Sequence, residues 1–530
     1  MKEKLEHALR TCLTQLIQEG KMGRFDMSKV TLTRPTDGQF GDYTTNIGLM
    51  VSKEVAMKPR DIAELMVSSF SHPLIAKTEI AGPGHINFYL SETAYSEELK
   101  RILHEGGRYG NSMLGDGERV NNEFISANPT GPLHLGNGRG GFYGDTLARI
   151  MKKAGYDVIN EYYVNDAGEQ VVKLGHSVLK DSEAVYGGDY IEKLAERLNG
   201  ETNVRLAGQK AAQIILEEMI KPVVNDVMRV HFDVWTSEKQ LVTDGYIDKA
   251  IDILKEKKLT FEAEGAVWLR TTQFGDDKDR VLVKSDGSKT YFASDCGYLL
   301  NKMERGFTAL IETWGADHHG YIGRFRAAAE ALGFPKDKIH FAIVQLVRLM
   351  KDGQEVRMSK RAGNVVGIDE LIETVGHDVA RFFFLMYSAD THMNFDLGLA
   401  EERSEKNPVF YIQYAFARLS SILRKAKEGD LEPTTGNLAL LTHPKEKLLI
   451  RELLAFPELI ERMASEKTVH QLSQYAIRLA DRLHSFYAEC QVIDGEKKEL
   501  SQARLALVRS VQIVLGETLR LLGVSAPEKM

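Results

Sequence analysis

The stretch NPTGPLHLGNGRGG, residues 128–141, sets one histidine among five glycines and two prolines. It follows an apolar segment, RVNNEFISA at 119–127, and precedes GFYGDTLARIMKKAGY, whose spacing is helical. A helix N-terminus offers unpaired N–H groups and partial positive charge, which suits a phosphate. Glycine lets the backbone come close, and His134 would add a donor to a phosphate oxygen. The spacing matches neither the dinucleotide G-x-G-x-x-G nor the phosphate loop ending in Lys-Ser/Thr. A tight turn with a structural histidine therefore fits these residues as well. A second cluster stands more than 200 residues later, where Arg348, Lys351, Arg357, Lys360 and Arg361 are opposed by Asp352 and Glu355, with Gly363 behind them. A loop bearing cations can neutralise a phosphate chain as charge develops; a solvated basic turn has the same composition. A third cluster, ADHHG at 316–320, aligns Asp317, His318 and His319. Those are metal-ligand types, although adjacent histidines at the end of a buried strand are more often structural.

The elements that must position these residues follow from periodicity. Strand, loop, helix and a second strand at DVINEYYV make a βαβ unit, the seed of a parallel sheet. Residues 168–260 read as a mostly helical insertion, because strand-rich sequence resumes at AVWLR. TALIETWG (308–315) reads as a buried strand that delivers ADHHG. VLVKSDGSKTYF (281–292) and LVRLMKDGQEVRM (346–358) each centre on Asp-Gly, the strongest short hairpin signal. IAGPGHINFYLS (80–91) reads as one strand, and the glycine-rich GGRYGNSMLGDGE (106–118) as a boundary. From about residue 400 the pattern is helical almost throughout. The expected organisation is an α+β domain at 1–110, an α/β domain at 111–400 with a helical insertion at about 168–260, and an all-α domain at 401–530.

Totals narrow the classes. The chain has 530 residues, 43% apolar and 27% charged, enough for several cores. Cys12, Cys296 and Cys490 lie far apart, so neither a disulfide framework nor a zinc ribbon is indicated. The apolar face of the first helix is interrupted by Glu3, Glu6 and Glu19, unlike a signal peptide, and nothing resembles a membrane span. A cytoplasmic protein with no membrane partner is expected. The net charge of −7 argues against broad nucleic-acid coating but leaves room for a local basic track; no DNA partner is expected. Residues 401–530 nevertheless carry +1 and the first 400 carry −8.

The first two clusters together resemble the signatures HIGH and KMSKS of the class I aminoacyl-tRNA synthetases. Here they are spelled His134-Leu135-Gly136-Asn137 and Arg357-Met358-Ser359-Lys360-Arg361. The segments SANPTGPLHLGNGRGGFYGD, NEYYVNDAGEQ, GAVWLRTTQFGDDKDRVLVKSDGSKTYFASD, WGADHHGYIGR, MSKRAGN and NPVFYIQYAFARL all resemble bacterial arginyl-tRNA synthetases, as do the N-terminal GQFGDYTTNIGL and GPGHINFYL. The resemblance covers nearly the whole chain.

It implies a Rossmann-like, doubly wound parallel sheet as the catalytic domain, an N-terminal domain that binds the tRNA D-loop, and an all-α domain that binds the anticodon. The implied reaction joins L-arginine to ATP as arginyl-adenylate, releases pyrophosphate, and passes arginine to the 3′ end of tRNA(Arg). ATP would arrive with Mg²⁺, with no metal held by the protein itself, and a monomer is expected. On the family's pattern Tyr291 and Asp295 grip the guanidinium, which needs a planar carboxylate partner. Ser126, Ala127 and Asn128 hold the α-amino and carboxylate groups, with Asp317 nearby. ATP falls to His134, Gly136, Asn137, His318, Met358, Ser359 and Lys360. The catalytic set is His134, Asn137, Arg357 and Lys360. tRNA falls to His85, Asn87, Tyr411, Tyr414, Arg418 and Met530.

Without the family, Asp295 reads as a helix N-cap before CGYLLNKM, and Tyr411, Tyr414 and Arg418 as core plus surface of a helix. The chain also departs from the family's spelling. Asn137 replaces the second histidine of HIGH, and Arg357 and Arg361 replace the first lysine and last serine of KMSKS. Two other classes fit parts of the sequence: a DHH-type metal phosphoesterase built on ADHHG, and a synthetase-like tRNA-binding protein without catalysis.

Overall fold

The computed structural model describes residues 1–35, 38–356 and 366–530. The N-terminal region contains α1 (Lys2–Gln18), β1 (Tyr43–Thr45), α2 (Ile47–Val51), α3 (Pro59–Ser69), β2 (Ile75–Ala81), β3 (His85–Leu90) and α4 (Glu92–Glu105). β3 is the middle strand of an antiparallel three-stranded sheet with β1 and β2 beside it. The expected single strand at 80–91 is thus two. Gly82 and Gly84, both with positive φ, flank Pro83 and turn the chain between β2 and β3, a conformation that glycine adopts freely.

The middle region begins with β4 (Arg119–Glu123), α5 (Leu135–Lys153), β5 (Asp157–Val164), α6 (Glu169–Leu179), α7 (Asp189–Arg197), α8 (Val204–Ile215), β6 (Val234–Ser237), α9 (Glu238–Thr243) and α10 (Tyr246–Glu256). It continues through β7 (Thr260–Ala263), β8 (Ala266–Leu269), β9 (Arg280–Val283), α11 (Tyr291–Glu304), β10 (Ala309–Gly315), α12 (Ile322–Leu332), β11 (Ile339–Val344), β12 (Val347–Lys351) and β13 (Gln354–Glu355). It closes with α13 (Ile368–Val375), α14 (His377–Leu385), β14 (Met393–Asp396) and α15 (Leu397–Glu401). The central sheet runs β11-β10-β4-β5-β6 with every pairing parallel. The chain winds outward from β4 in one direction, then returns to build the other side. The switch point lies between β4 and β10, where doubly wound sheets bind ligands at the strands' C-terminal ends.

Three expectations change here. β4 ends at Glu123, because Ile125 and Ser126 take left-handed φ values of 66° and 39° that no strand can carry. β6 is the edge strand of the central sheet, so the stretch read as a helical insertion includes part of the catalytic sheet. The Asp-Gly signal at 286–287 gives only a single bridge, Val283 to Lys289, before the chain turns helical. Thr290 accepts a hydrogen bond from Ala293 N and caps α11. The apolar residues Phe292, Ala293, Cys296, Leu299 and Leu300 then follow helical spacing and are buried. The other Asp-Gly does close a hairpin, β12–β13, with Asp352 and Gly353 both at positive φ.

The C-terminal region is four long helices, α16 (Pro408–Glu428), α17 (Pro444–Glu466), α18 (His470–Glu489) and α19 (Lys498–Leu522). The N-terminal sheet docks on α17. Tyr43 Oη donates to Glu458 Oε1 at 2.6 Å, and Arg451 Nε meets Asp42 Oδ1 at 2.7 Å. The first and last regions are therefore joined across the catalytic one. No helix among the described residues is long and apolar enough to cross a membrane.

Candidate active site

His134 is the N-cap of α5. Its Nδ1 accepts from Gly136 N at 3.1 Å and Asn137 N at 3.4 Å, and Asn137 Oδ1 accepts from His134 N at 3.0 Å. This reciprocal capping box satisfies three backbone donors. It corrects the expectation that these loop amides are open to phosphate, since His134 already occupies two of them. It also fixes the ring: Nδ1 accepts, so the neutral imidazole carries its proton on Nε2. Desolvation lowers the His134 pKa below the ordinary histidine range, against an opposing pull from Asp317. A neutral donor at Nε2 follows. Gly136 has a reason beyond making room for a nucleotide, because a Cβ there would meet the His134 ring at 3.0 Å.

Around this helix start lies a cleft of about 730 Å³. Ile125 after β4, Thr313 to Asp317 at the end of β10, and Val344 and Gln345 at the end of β11 form its floor and one wall. His134, Gly136, Asn137 and Gly140 supply the wall from α5. It therefore opens at the sheet's switch point. Arg348, one of the cations of the second cluster, also lines it. Arg357, Met358, Ser359, Lys360 and Arg361 lie outside the described residues. Their flanks do not: Glu355 and Val356 on one side and Val366 on the other line this same cleft. Gly367 bridges to His134, and Ile368 N donates to Leu133 O at 3.1 Å. His134 and the flanks of the second signature thus line one space.

A group of acidic side chains gathers around Asp295, joined to the cleft wall through Tyr321, whose ring meets Trp314 edge-on. Asp295 sits inside α11 rather than at its N-cap, one turn after Tyr291, which opens the helix instead of ending a strand. Tyr321 Oη donates to Asp295 Oδ2. Burial raises the Asp295 pKa to about 7; Tyr321 opposes that rise and the carboxylates of Glu238 and Glu123 add to it. Glu238, at the start of α9, is 5% exposed, and desolvation raises its pKa too. Its Oε2 is buried without a hydrogen-bond partner among the described residues. An unsatisfied buried carboxylate oxygen is costly unless a ligand completes it. Sequence reasoning missed Glu238 and Tyr321, since an acid after Ser237 reads as a helix first turn and a tyrosine in HHGYIGR as packing.

The α-group residues lie at the end of β4. Ser126 Oγ donates to Glu123 Oε1 at 3.0 Å and accepts from Tyr163 N at 3.1 Å. Ala127 O accepts from Tyr162 Oη at 2.9 Å, and Asn128 is exposed. These contacts hold the left-handed backbone at 125–126, the kind of strain that clusters at ligand sites. Tyr291 is 49% exposed, and its hydroxyl accepts from Glu169 N at 3.1 Å. Asp317 lies on the nucleotide-sized cleft rather than beside Asp295, and pairs with His318 Nε2 at 3.4 Å. His318 stands outside the cleft lining, edge-on to Trp314. No group of three His, Cys, Asp or Glu side chains among the described residues converges as a metal cage.

The tRNA candidates separate. His85 is partly exposed on β3, whereas Asn87 on the same strand is 5% exposed and turned into the domain. Tyr411 donates to Asp481 Oδ1 at 2.7 Å. Tyr414, Arg418 and Met530 line one groove of about 910 Å³ between α16, α18 and the chain end. In it the Arg418 guanidinium lies 4.1 Å from the Tyr487 ring and 5.5 Å from the Tyr414 ring.

Three family models match the chain: the arginyl-tRNA synthetase N-terminal domain at residues 1–90, the class I (R) tRNA synthetase catalytic domain at 189–382, and the DALR anticodon-binding domain at 412–530. An arginine–tRNA ligase of Bacillus subtilis is 43% identical, with 100% of this chain and 99% of the relative covered. This chain belongs to the arginyl-tRNA synthetases. The enzyme of Anoxybacillus flavithermus is 44% identical over 100% of this chain and 99% of its own length. The solved structure of Thermus thermophilus arginyl-tRNA synthetase, 22% identical, covers both chains fully with a TM-score of 0.77 and shows the shared fold. The chain is thus an aminoacyl-tRNA ligase of class I, a family that uses ATP, with arginine and tRNA as its other substrates.

Proposed function

We propose that this synthetase forms arginyl-adenylate in the cleft lined by His134 and the flanks of the 357–361 segment, and then charges tRNA(Arg). A carboxylate oxygen of arginine attacks the α-phosphorus of ATP, and the bond to pyrophosphate breaks. The terminal ribose hydroxyl of tRNA next attacks the arginyl carbonyl carbon, AMP leaves with the bonding electron pair, and the hydroxyl proton is lost. No side chain becomes covalently linked. Alignment and stabilisation of developing negative charge carry the rate.

His134 Nε2–H faces a phosphate oxygen, Gly136 and Asn137 shape the wall beside it, and Lys360, with Arg357, neutralises the pyrophosphate end. Mg²⁺ belongs to the ATP that enters and shares its charge. Asp295 and Glu238 bind the guanidinium, with Tyr291 closing over it, and Ser126 and Asn128 hold the α-groups. Tyr414, Arg418 and Met530 offer a stacking groove for an unpaired tRNA base, and His85 a contact in the N-terminal domain. The reading needs a single chain, since all these residues come from one, and its setting is the cytoplasm, where charged tRNA is consumed.

The observation that carries this reading is the convergence of His134 and both flanks of the 357–361 segment on one cleft, with the acidic group around Asp295 joined to its wall. The test is charging of tRNA with each amino acid in turn. Arginine alone should be attached; attachment of none, with tRNA binding intact, would favour a binding protein without catalysis.

A further inference from the structure

Beneath the arginine pocket lies a charged cluster that the reaction does not use. Parallel pairing sets Glu312 of β10 beside Glu123 of β4, and Glu123 beside Glu161 of β5. Three carboxylates thus stand in one row across three central strands, 1%, 7% and 0% exposed. Adjacent like charges in a sheet repel, and buried charge without a partner is costly. The row is tolerated because α11 lays cations over it. Lys302 Nζ, 0% exposed, donates to Glu123 Oε2 at 2.7 Å and Glu312 Oε1 at 2.8 Å. Arg305 makes a two-pronged pair with Glu161 at 2.8 and 2.6 Å. Two cations face three acids, and burial raises the Glu312 pKa to about 8.

The cluster has an output. The other oxygen of Glu123 accepts from Ser126 Oγ, and Ser126 in turn accepts from Tyr163 N. Lys302 therefore reaches the strained turn at 125–126 through one carboxylate. It also reaches the opposite end of the pocket. Tyr291, Asp295, Tyr298 and Lys302 follow one another at intervals of four, three and four along α11, one face of a helix. The Lys302 ammonium lies 4.3 Å from the Tyr298 ring, and that ring stacks on Tyr163 at 4.6 Å.

We propose that Lys302 is a positioning residue that sets the distance between the two ends of the amino-acid pocket, so that side-chain length becomes a criterion of specificity. One rigid helix carries Asp295 at the guanidinium end and, through Lys302 and Glu123, fixes Ser126 at the α-group end. The inference rests on the arginine pocket proposed above.

The test is tRNA charging with arginine and with homoarginine, one methylene longer, by Lys302→Met, Ser126→Ala, the double variant, Glu312→Gln and Asp295→Asn. Lys302→Met should raise the arginine KM about tenfold or more, leave the ATP KM within about twofold, and erase most of a preference over homoarginine on the order of 10–200-fold. The double variant should be no worse than Ser126→Ala within about threefold, because both changes act on one path. Glu312 has no bond to Ser126, so Glu312→Gln should leave both preferences unchanged. Equal loss with both amino acids, or multiplying effects of Lys302→Met and Ser126→Ala, would overturn the proposal. If Lys302→Met does not fold, Lys302→Met with Glu123→Gln removes the unpaired charge, and the same loss of discrimination is expected of it. If Asp295→Asn leaves the arginine KM unchanged, the pocket reading itself fails; if it raises that KM while Lys302→Met does not, only the spacing inference fails.

Discussion

The two ends of the proposed active site are built on opposite plans. At the nucleotide end, His134, Asp317 and Arg348 reach into an open cleft from a helix start, a strand end and a hairpin. At the amino-acid end, Asp295 and Glu238 are enclosed by Tyr163, Ser294 and Tyr321 and backed by the buried glutamate row. The difference matches the tasks. A phosphate chain must be neutralised as charge moves, which favours donors aimed at the developing oxyanion. A guanidinium must be told from other side chains, which favours buried polar groups that stay unpaired when the wrong ligand enters.

Changes confined to one end should separate the two plans. The largest effect is expected from Asp295→Asn, which leaves a guanidinium without its carboxylate. Arginine binding should weaken by about 2–5 kcal/mol with the ATP KM unmoved, as read by steady-state charging. An equal loss for ATP would collapse the distinction. His134→Asn comes next. Asparagine is itself a good N-cap, so the melting temperature should hold while turnover falls about 10²–10³-fold through loss of the Nε2 donor. Full turnover in that variant would mean that the cap is the histidine's whole role. Tyr414→Ala lies at neither end and should cost about 1–3 kcal/mol of tRNA binding through lost stacking, with arginine and ATP constants intact.

The smallest of the four is set by pH. The Asp295 pKa is raised, to about 7, so its carboxylate is protonated below that value and charged above it. The arginine KM should therefore be flat above about pH 8 and rise about tenfold per unit well below pH 7. Between pH 7 and 8 the ATP KM should stay level, because desolvation lowers the His134 pKa below the ordinary histidine range and the ring is neutral there. A KM for arginine that ignores pH across this range would show that the ligand-free pocket already holds Asp295 charged.

Much of this was legible in the sequence, and the failures are instructive. Periodicity found β4, α5, β5, β10 and the four C-terminal helices, because each carries its own apolar repeat. It misplaced β6, whose four residues are only half-buried at a sheet edge. The Asp-Gly rule worked at 352–353 and failed at 286–287, where Thr290 caps a helix that needs its first turn for Tyr291 and Asp295. His134 could be read as a phosphate donor or as a turn residue; it caps α5 with one nitrogen and leaves the other for the cleft. Glu238, Tyr321 and Lys302 were not legible as site residues, since their meaning comes from neighbours 26 to 179 positions away.

Tyr291 ties the pocket to something outside it. Helix α6 has no side-chain cap of its own at Gly168, and the Tyr291 hydroxyl takes that place on Glu169 N. A tyrosine that turns toward an incoming guanidinium gives up this bond, and the first turn of α6 then lacks an acceptor. In the proposed reading, the start of α6 would then report whether the pocket is filled. Amide exchange at Glu169 would serve as a built-in gauge of whether arginine is bound.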